Sequence, residues 1–440
     1  MLQRAMFISI ISLTVFATGA NAVLFAQKGQ WVPIESSPVA VDRFDAMSFV
    51  SPDTGWIAGT SSAGMFRTYD GGKSWQRLEG AADEPGKRTD FRSLSFVSGG
   101  YGWVGSIGGA TPLKYTSDGG TTWTPVSSIR DSGSAGVCGI QAFSATSMVC
   151  VGPFSVAILG APHVTTTYDG VAYQTRLLSG RVDGLVDVLF ESASTGVIGG
   201  NVGGGVNTGY AVILRTVDSG ATWTEVYRSS RRGTQLWKFQ QRSDGTIMGA
   251  IQAHSATVPY FVFSSDGGQS WEEGSITDNG AAIRGLQAVG FATPTLGWVG
   301  GRGFSSYRTT DGGATWSRDS SSVNAINRFQ FFSDTLGYAA GQRIYRYVPD
   351  SVSTSVSSKT ETIPDVVVTT EAGTVRIVVH PRFTVLGCSV YDVRGRVVST
   401  STQWLQNNTF VLHTAGYRGP LFVLVATTVD YLSAPVPMAP

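Results

Sequence analysis

Thr116-Ser117-Asp118-Gly119-Gly120-Thr121-Thr122-Trp123 is the stretch that decides the fold, because it recurs. The pattern Ser/Thr-x-Asp-x-Gly-x-Thr/Ser-Trp returns at Thr68 to Trp75, Thr216 to Trp223, Ser264 to Trp271 and Thr309 to Trp316. A degraded copy runs from Thr167 to Tyr173; it keeps Asp169, has lost one glycine position, and carries Tyr173 in place of Trp. The chemistry is that of a tight reversal between two strands. The Asp side chain accepts hydrogen bonds from backbone N–H groups a few residues on. The Gly supplies a positive φ at little steric cost. The Trp opens the next strand and carries a large apolar area inward. Asp70, Asp118, Asp169, Asp218, Asp266 and Asp311 are therefore structural, as are Trp75, Trp123, Trp223, Trp271 and Trp316. Acids repeated on every unit cannot all face one catalytic or metal site.

The Asp positions are 48, 51, 49, 48 and 45 residues apart, a period that signals a propeller or an array. A second element precedes each turn. It reads Phe49-x5-Gly55-Trp56, Phe96-x5-Gly102-Trp103, Phe190-x5-Gly196-Val197, Phe291-x5-Gly297-Trp298 and Phe331-x5-Gly337-Tyr338, with weaker copies from Phe143 and Phe239. Seven such elements stand against six Asp turns. The seventh unit has three strands and no Asp turn, while an orphan strand, Gln30-Trp31-Val32-Pro33-Ile34, precedes the first unit. Ring closure resolves the mismatch and removes an exposed edge. The expectation is an all-β chain: a seven-bladed β-propeller over residues 28–348, closed by the N-terminal strand.

Composition agrees. The 440 residues hold 55 Gly and 11 Trp with only 14% charged residues, which suits short aromatic strands and glycine turns. A net charge of +1 gives no global pull toward nucleic acid. Residues 1–22 read as an export signal: Arg4, an apolar run from Ala5 to Ala20, and Ala20-Asn21-Ala22 as a cleavage pattern. Residues 349–364 are a Ser/Thr-rich linker. Residues 365–436 alternate as a small Ig-like β-sandwich.

The eight-residue turn resembles the Asp-box of bacterial neuraminidase-like repeats. Together with Phe-x5-Gly-Trp, it makes the propeller resemble the photosystem II stability/assembly factor propellers and their non-photosynthetic bacterial relatives. That likeness is specific for fold and not for role. The C-terminal part, through Val390-Tyr391-Asp392-Val393-Arg394-Gly395-Arg396-Val397-Val398, Phe410-Val411-Leu412 and Phe422-Val423-Leu424, resembles type A sorting domains of the type IX secretion pathway. The resemblance implies passage through that machinery to the outside or the outer surface of a bacterial cell. In place of the Gly-x-Tyr usual before the last strand stands Gly419-Pro420-Leu421-Phe422.

Candidate chemistry is sparse. Some Asp-box propellers are glycosidases, but Asp42-Arg43-Phe44-Asp45-Ala46-Met47 holds no sialidase motif, and the xyloglucanase type pairs two propellers. Asp83, Glu84, Asp131, Asp183 and Asp187 are acids that a paired-carboxylate mechanism could use, each more simply a loop residue. His163, His254, His380 and His413 show no ligand spacing and read as surface or loop residues, so no metal or cofactor is expected. The run Gly199 to Gly205 reads as an insertion without a following helix, hence no phosphate loop. Cys138 and Cys150 lie on neighbouring strands of blade three and are a possible disulfide after export; Cys388 is left over.

Since the Asp turns define one face, the inter-blade loops lie on the other. Arg92, Arg130, Arg181, Arg231, Arg232, Arg284 and Arg328 are assigned to those loops, where they would ring the channel mouth. The expected function is a non-enzymatic, secreted or cell-surface monomer that binds a partner protein or polysaccharide through this face. The alternative is a carbohydrate-active hydrolase using the same face.

Overall fold

The computed structural model describes residues 29–349 apart from 61–62, 83–88, 254–258, 277–284, 303–305, 320 and 322–324, together with seven strands between residues 366 and 436. The chain divides into two compact units, Met1–Ser351 and Val352–Pro440.

The first unit is a seven-bladed β-propeller. Six four-stranded antiparallel sheets each use consecutive strands, and a seventh is assembled from both ends of the unit. In that seventh sheet, Gly29–Pro33 pairs antiparallel with Ile344–Pro349, Trp31 standing opposite Tyr347. The innermost strands are Phe44–Phe49, Asp90–Phe96, Gly139–Ala142, Gly184–Phe190, Thr234–Gln241, Leu286–Phe291 and Arg328–Phe331.

The Phe-x5-Gly-Trp element proves to be the joint between blades. The ring of each Phe lies on the Gly of its own blade. A Cβ built on Gly55, Gly102, Gly196, Gly297 or Gly337 would come within 2.3–2.5 Å of Phe49, Phe96, Phe190, Phe291 or Phe331 respectively. At Phe49, Phe96 and Phe331 the other side of the ring receives the aromatic of the preceding blade, whereas Phe291 is met by Arg242. Trp56 stacks on Phe96 with centroids 3.7 Å apart, and Tyr338 stacks on Phe49 at 4.1 Å. The edge meets the Asp-turn Trp, as Phe49 does Trp75 and Phe96 does Trp123. Backbone groups are tied across the same joint. Phe49 N–H donates to Gln330 Oε1, Phe96 to Ser48 Oγ, Phe190 to Gln141 Oε1 and Phe291 to Gln240 Oε1, at 2.6–3.0 Å.

The Asp turns form as their chemistry requires. Asp118 accepts from the Thr122 N–H at 2.9 Å and the Thr122 hydroxyl at 2.7 Å, and Gly120 N–H donates to Thr116 Oγ1 at 2.9 Å. Both residues after the Asp have positive φ, Gly119 at 72° and Gly120 at 91°. In blade four the first of these is Ser219, at φ 60°. The degraded turn is compensated: Trp103 Nε1, whose counterpart Trp56 donates to a turn carbonyl, donates to the Tyr173 hydroxyl at 3.0 Å. The hydrogen bonds from Thr122 hold the Asp118 carboxyl at about 2, and those from Ser74 hold Asp70 at about 2.

Several sequence expectations are corrected. Gly199 and Gly200 are strand residues within Gly196–Val202, and a short helix, Gly205–Thr208, follows. Gly200 is needed because a Cβ there would lie 1.9 Å from the Gly184 carbonyl oxygen. His163 is fully buried in the strand His163–Thr167, its ring nitrogens 3.1 Å from Thr165 Oγ1 and the Gly136 carbonyl, and burial pulls it down to about 4. It is a core histidine rather than a surface one, because the loop expected to carry it is the start of a strand. Cys138 and Cys150 are buried and free. Cys150 stands opposite Ile140, and Cys138 is a diagonal neighbour, at a separation of about 7–8 Å that a disulfide does not span.

In the second unit the strands Val366–Glu371, Thr374–Val379, Thr409–His413 and Thr402–Leu405 form one antiparallel sheet, and Val385–Asp392, Leu421–Thr427 and Tyr431–Val436 form another. The side chains of Cys388 and His413, and His254 and His380 altogether, lie outside the described residues.

Gly102→Ala should destabilise the propeller by about 1–3 kcal/mol, since the methyl enters the Phe96 ring, whereas Gly99→Ala, with open space around its Cβ, should change the urea midpoint little. The depressed Asp-turn carboxyls place their stabilisation above the unfolded value of about 4. Stability should therefore fall as pH drops from about 4 toward about 2, and Asp118→Asn should flatten that limb of a pH-denaturation curve while lowering stability at neutral pH.

Candidate functional site: a plugged axial channel

Five inner strands carry a register irregularity at the same place, which leaves Asp45, Arg92, Val186, Trp237 and Gln287 unpaired in their ladders. Asp45, Arg92, Val186 and Gln287 each lie four before the Phe that pairs with the Gly of the joint, and Trp237 lies four before Gln241, which pairs with Ile247. Cys138 and Asn327 hold the same position in blades three and seven, just before their inner strands begin. A bulge re-aims a side chain, and here it turns one residue per blade toward the axis.

These residues meet one another across the channel. Asp45 accepts Arg43 Nε at 2.7 Å through one oxygen and Arg92 through the other. Asn327 Nδ2 donates to the Asp45 backbone oxygen at 2.8 Å, and Asn327 Oδ1 accepts Trp237 Nε1 at 2.7 Å. The Arg92 guanidinium lies 5.5 Å from the Trp237 ring centroid and 5.7 Å from that of Phe154. Arg43 also donates to Gln287, whose Nε2 donates to Gln252 Oε1 at 2.9 Å. Contacts between blades two and five, or five and seven, can form only across the axis, so the network plugs the channel.

Next along the strands come Asp187 and Lys238, both buried, and Arg328. Asp187 accepts Phe239 N–H at 2.8 Å and lies 3.7 Å from Lys238 Nζ and 3.5 Å from Arg328. Burial would raise the Asp45 carboxyl, but Arg92 and Arg43 outweigh it and hold the group below its ordinary value. Burial pulls the Lys238 ammonium down to about 8.

Above the plug is a cavity of about 310 Å³, lined among others by Asp42, Asp90, Gln235, Gln252, Phe154 and Arg302. Asp42 lies just before an inner strand and Asp90 opens one, while Gln252 and Arg302 lie at the far ends of second strands. The cavity therefore opens on the inter-blade face, opposite the Asp turns. Arg302 pairs with Asp42 at its rim.

The six described arginines of those assigned from sequence do not form a ring. Arg92 and Arg328 reach the channel, but from the inner strands Asp90–Phe96 and Arg328–Phe331 rather than from loops, because those strands begin earlier than their apolar pattern does. Arg130 is exposed on the short helix Ser128–Asp131, which also holds Asp131. Arg181 donates outward to the Trp223 carbonyl at 2.7 Å. Arg231 pairs with Glu273 and stacks 4.0 Å from the Tyr260 centroid, and Arg232 donates to the Thr208 carbonyl. Arg284, Asp83 and Glu84 lie outside the described residues. Asp187 is a buried strand residue rather than a loop acid; Asp183 accepts from Gly204 N–H. Sequence reasoning missed Arg43, Asp45, Trp237, Lys238 and Gln287; their one common signal is weak, Asp45 and Gln287 lying four residues before Phe49 and Phe291.

Fold and site together define a seven-bladed Asp-box β-propeller with a charge-plugged axis and a cavity on its inter-blade face. Residues 25–134 match the family described as Photosynthesis system II assembly factor YCF48. The chain is similar to the chloroplastic Photosystem II stability/assembly factor HCF136 of Arabidopsis thaliana, 25% identical over 361 residues that cover 77% of this chain and 84% of that one. Among solved structures it is similar to YCF48 from Cyanidioschyzon merolae (TM-score 0.55, 19% identity, 73% of this chain and 100% of that one). It is also similar to YCF48 bound to D1 peptide (TM-score 0.53, 21% identity, 74% and 96%).

Asp45→Asn strands two guanidiniums in the plug and should cost about 3–5 kcal/mol in chemical denaturation. Adding Arg92→Met should recover part of that loss, a coupling a double-mutant cycle reads directly.

Proposed function

We propose that this chain is an exported, non-enzymatic propeller that captures a segment of a partner protein at its inter-blade face. The observation that carries this is the axial cavity: a concave site on that face that combines Trp237 and Phe154 with amides and both signs of charge. Such a mix suits an extended polypeptide, whose backbone groups need donors and acceptors and whose side chains need apolar area. The solved propeller similar to this one, with a D1 peptide bound, supports capture of a protein segment. The reading takes from those relatives the kind of ligand, not the photosystem.

A hydrolase on the same face is the weaker reading. A general acid needs a raised carboxyl, and the buried Asp45 is held ionised by two guanidiniums.

Residues 1–22 act in this proposal as the export signal. The closing strand Gly29–Pro33 makes the disc a closed ring that survives outside the cell. The two C-terminal sheets serve as a sandwich read by type IX machinery. The protein works as a monomer.

The test is site-specific photo-crosslinking in the native envelope. A crosslinker at Thr60, on the cavity rim, should trap one dominant protein that mass spectrometry identifies, and the same probe at Ser117, on the Asp-turn face, should not. Arg302→Glu, which removes the rim pair with Asp42, should weaken that capture about tenfold. Equal trapping from both faces would reject the proposal.

A further inference from the structure

Among the described residues, four cations share two carboxylates along the axis. Arg43 and Arg92 take Asp45; Lys238 and Arg328 take Asp187. Within these two clusters two positive charges exceed the negative ones; Asp90, beside Arg92, belongs to the cavity above.

The two pairs are unlike. Asp45 is engaged at hydrogen-bonding distance by both partners. Asp187 already uses Oδ2 for the Phe239 N–H, and its Oδ1 is 3.7 Å from Lys238 Nζ and 3.5 Å from Arg328 Nη2. Both distances exceed the 2.7–2.9 Å of a charge-assisted hydrogen bond. The Lys238 side chain is only 6% exposed, and its ammonium meets Asp187 Oδ1 at 3.7 Å, a loose ion pair. Arg328 Nε is buried and has no hydrogen-bond partner among the described residues. A loosely paired buried cation is unfavourable unless something further pairs with it.

We propose that Lys238 and Arg328 hold one small oxyanion from solution, a phosphate or a carboxylate, on the axis beside Asp187. An ammonium and a guanidinium supply the converging donors that such an anion needs. The anion removes the excess charge that Asp187 cannot neutralise alone. The Arg328 side chain, 26% exposed, provides the route to solvent. Burial pulls Lys238 to about 8, so it remains protonated at pH 7. The site lies one residue beyond Trp237 and Asn327 on their strands and does not depend on partner capture in the cavity above.

The experiment titrates the full chain at pH 7 with sodium phosphate and, separately, sodium acetate, against sodium chloride at matched ionic strength. Calorimetric heat and Tm are followed. At least one oxyanion should give a saturable heat near one site per chain and raise Tm beyond the chloride series; phosphate alone marks a tetrahedral ligand, and acetate marks a carboxylate. Lys238→Met should weaken that affinity at least about tenfold. Asp187→Asn, which keeps an acceptor for Phe239 N–H while removing the competing charge, should tighten it, and this variant decides the matter if Lys238→Met does not fold. Heats no larger than the chloride control, or equal affinity in wild type and both variants, would overturn the proposal.

Discussion

The structure depends on a ring lying flat on a hydrogen atom. At five blades a Phe face covers the Cα of a glycine on its own blade, and at Phe49, Phe96 and Phe331 an aromatic of the preceding blade covers the other face. The space under the ring is too small for any Cβ, so the glycine is there for close approach rather than for its backbone freedom. In exchange the blades come near enough for a side chain before the Phe to bond the next blade's backbone, as Gln330 bonds both groups of Phe49 at 2.9 and 2.6 Å. Aromatic burial and hydrogen bonding thus reinforce each other at one place, repeated around the disc. The same joint links the last blade to the first, so closure uses ordinary parts.

A disc held at its joints leaves a hole at its centre, and the way the hole is filled sets the chemistry available. Apolar plugs would have been adequate for stability; replacing buried ion pairs with apolar groups is often neutral or favourable. Here Asp45, Arg43 and Arg92 form a satisfied cluster instead, with Asn327 and Trp237 completing it. Asp45 accepts from both guanidiniums and from Asn327, and Asn327 in turn accepts from Trp237, which ties together five side chains drawn from four blades. The Asp187 group beside it is looser, and the contrast between a satisfied and an unsatisfied cluster a few residues apart is what distinguishes a plug from a site.

The turn and the Phe–Gly half of the joint were legible because their residues interact within eight positions of one another, where identity alone constrains geometry; the joint's Trp was legible only as a repeat, since it stacks on the next blade. The arginines were legible only as a residue type. Arg92 and Arg328 do reach the axis, while Arg181 and Arg231 turn outward to Trp223 and Glu273. Nothing in their local sequence separates the two groups. Asp45 was passed over as part of an unremarkable hexapeptide, because the bulge that turns it inward has no composition of its own: Asp, Arg, Val, Trp and Gln all occupy that position. His163 and the free Cys138 and Cys150 were misjudged for a related reason, since strand register and burial are properties of the assembled blade.

By itself, then, the amino-acid order determined the blade count and the turn at each outer corner, since a short-range repeat of hydrogen-bonding and aromatic residues dictates both. Only the tertiary structure decided which charges share the axis. Asp45 and Asn327 lie 282 positions apart and touch through a ladder irregularity in one blade and the packing of seven. Electrostatic partnership at the centre of a ring is set by where blades converge, which no local pattern encodes.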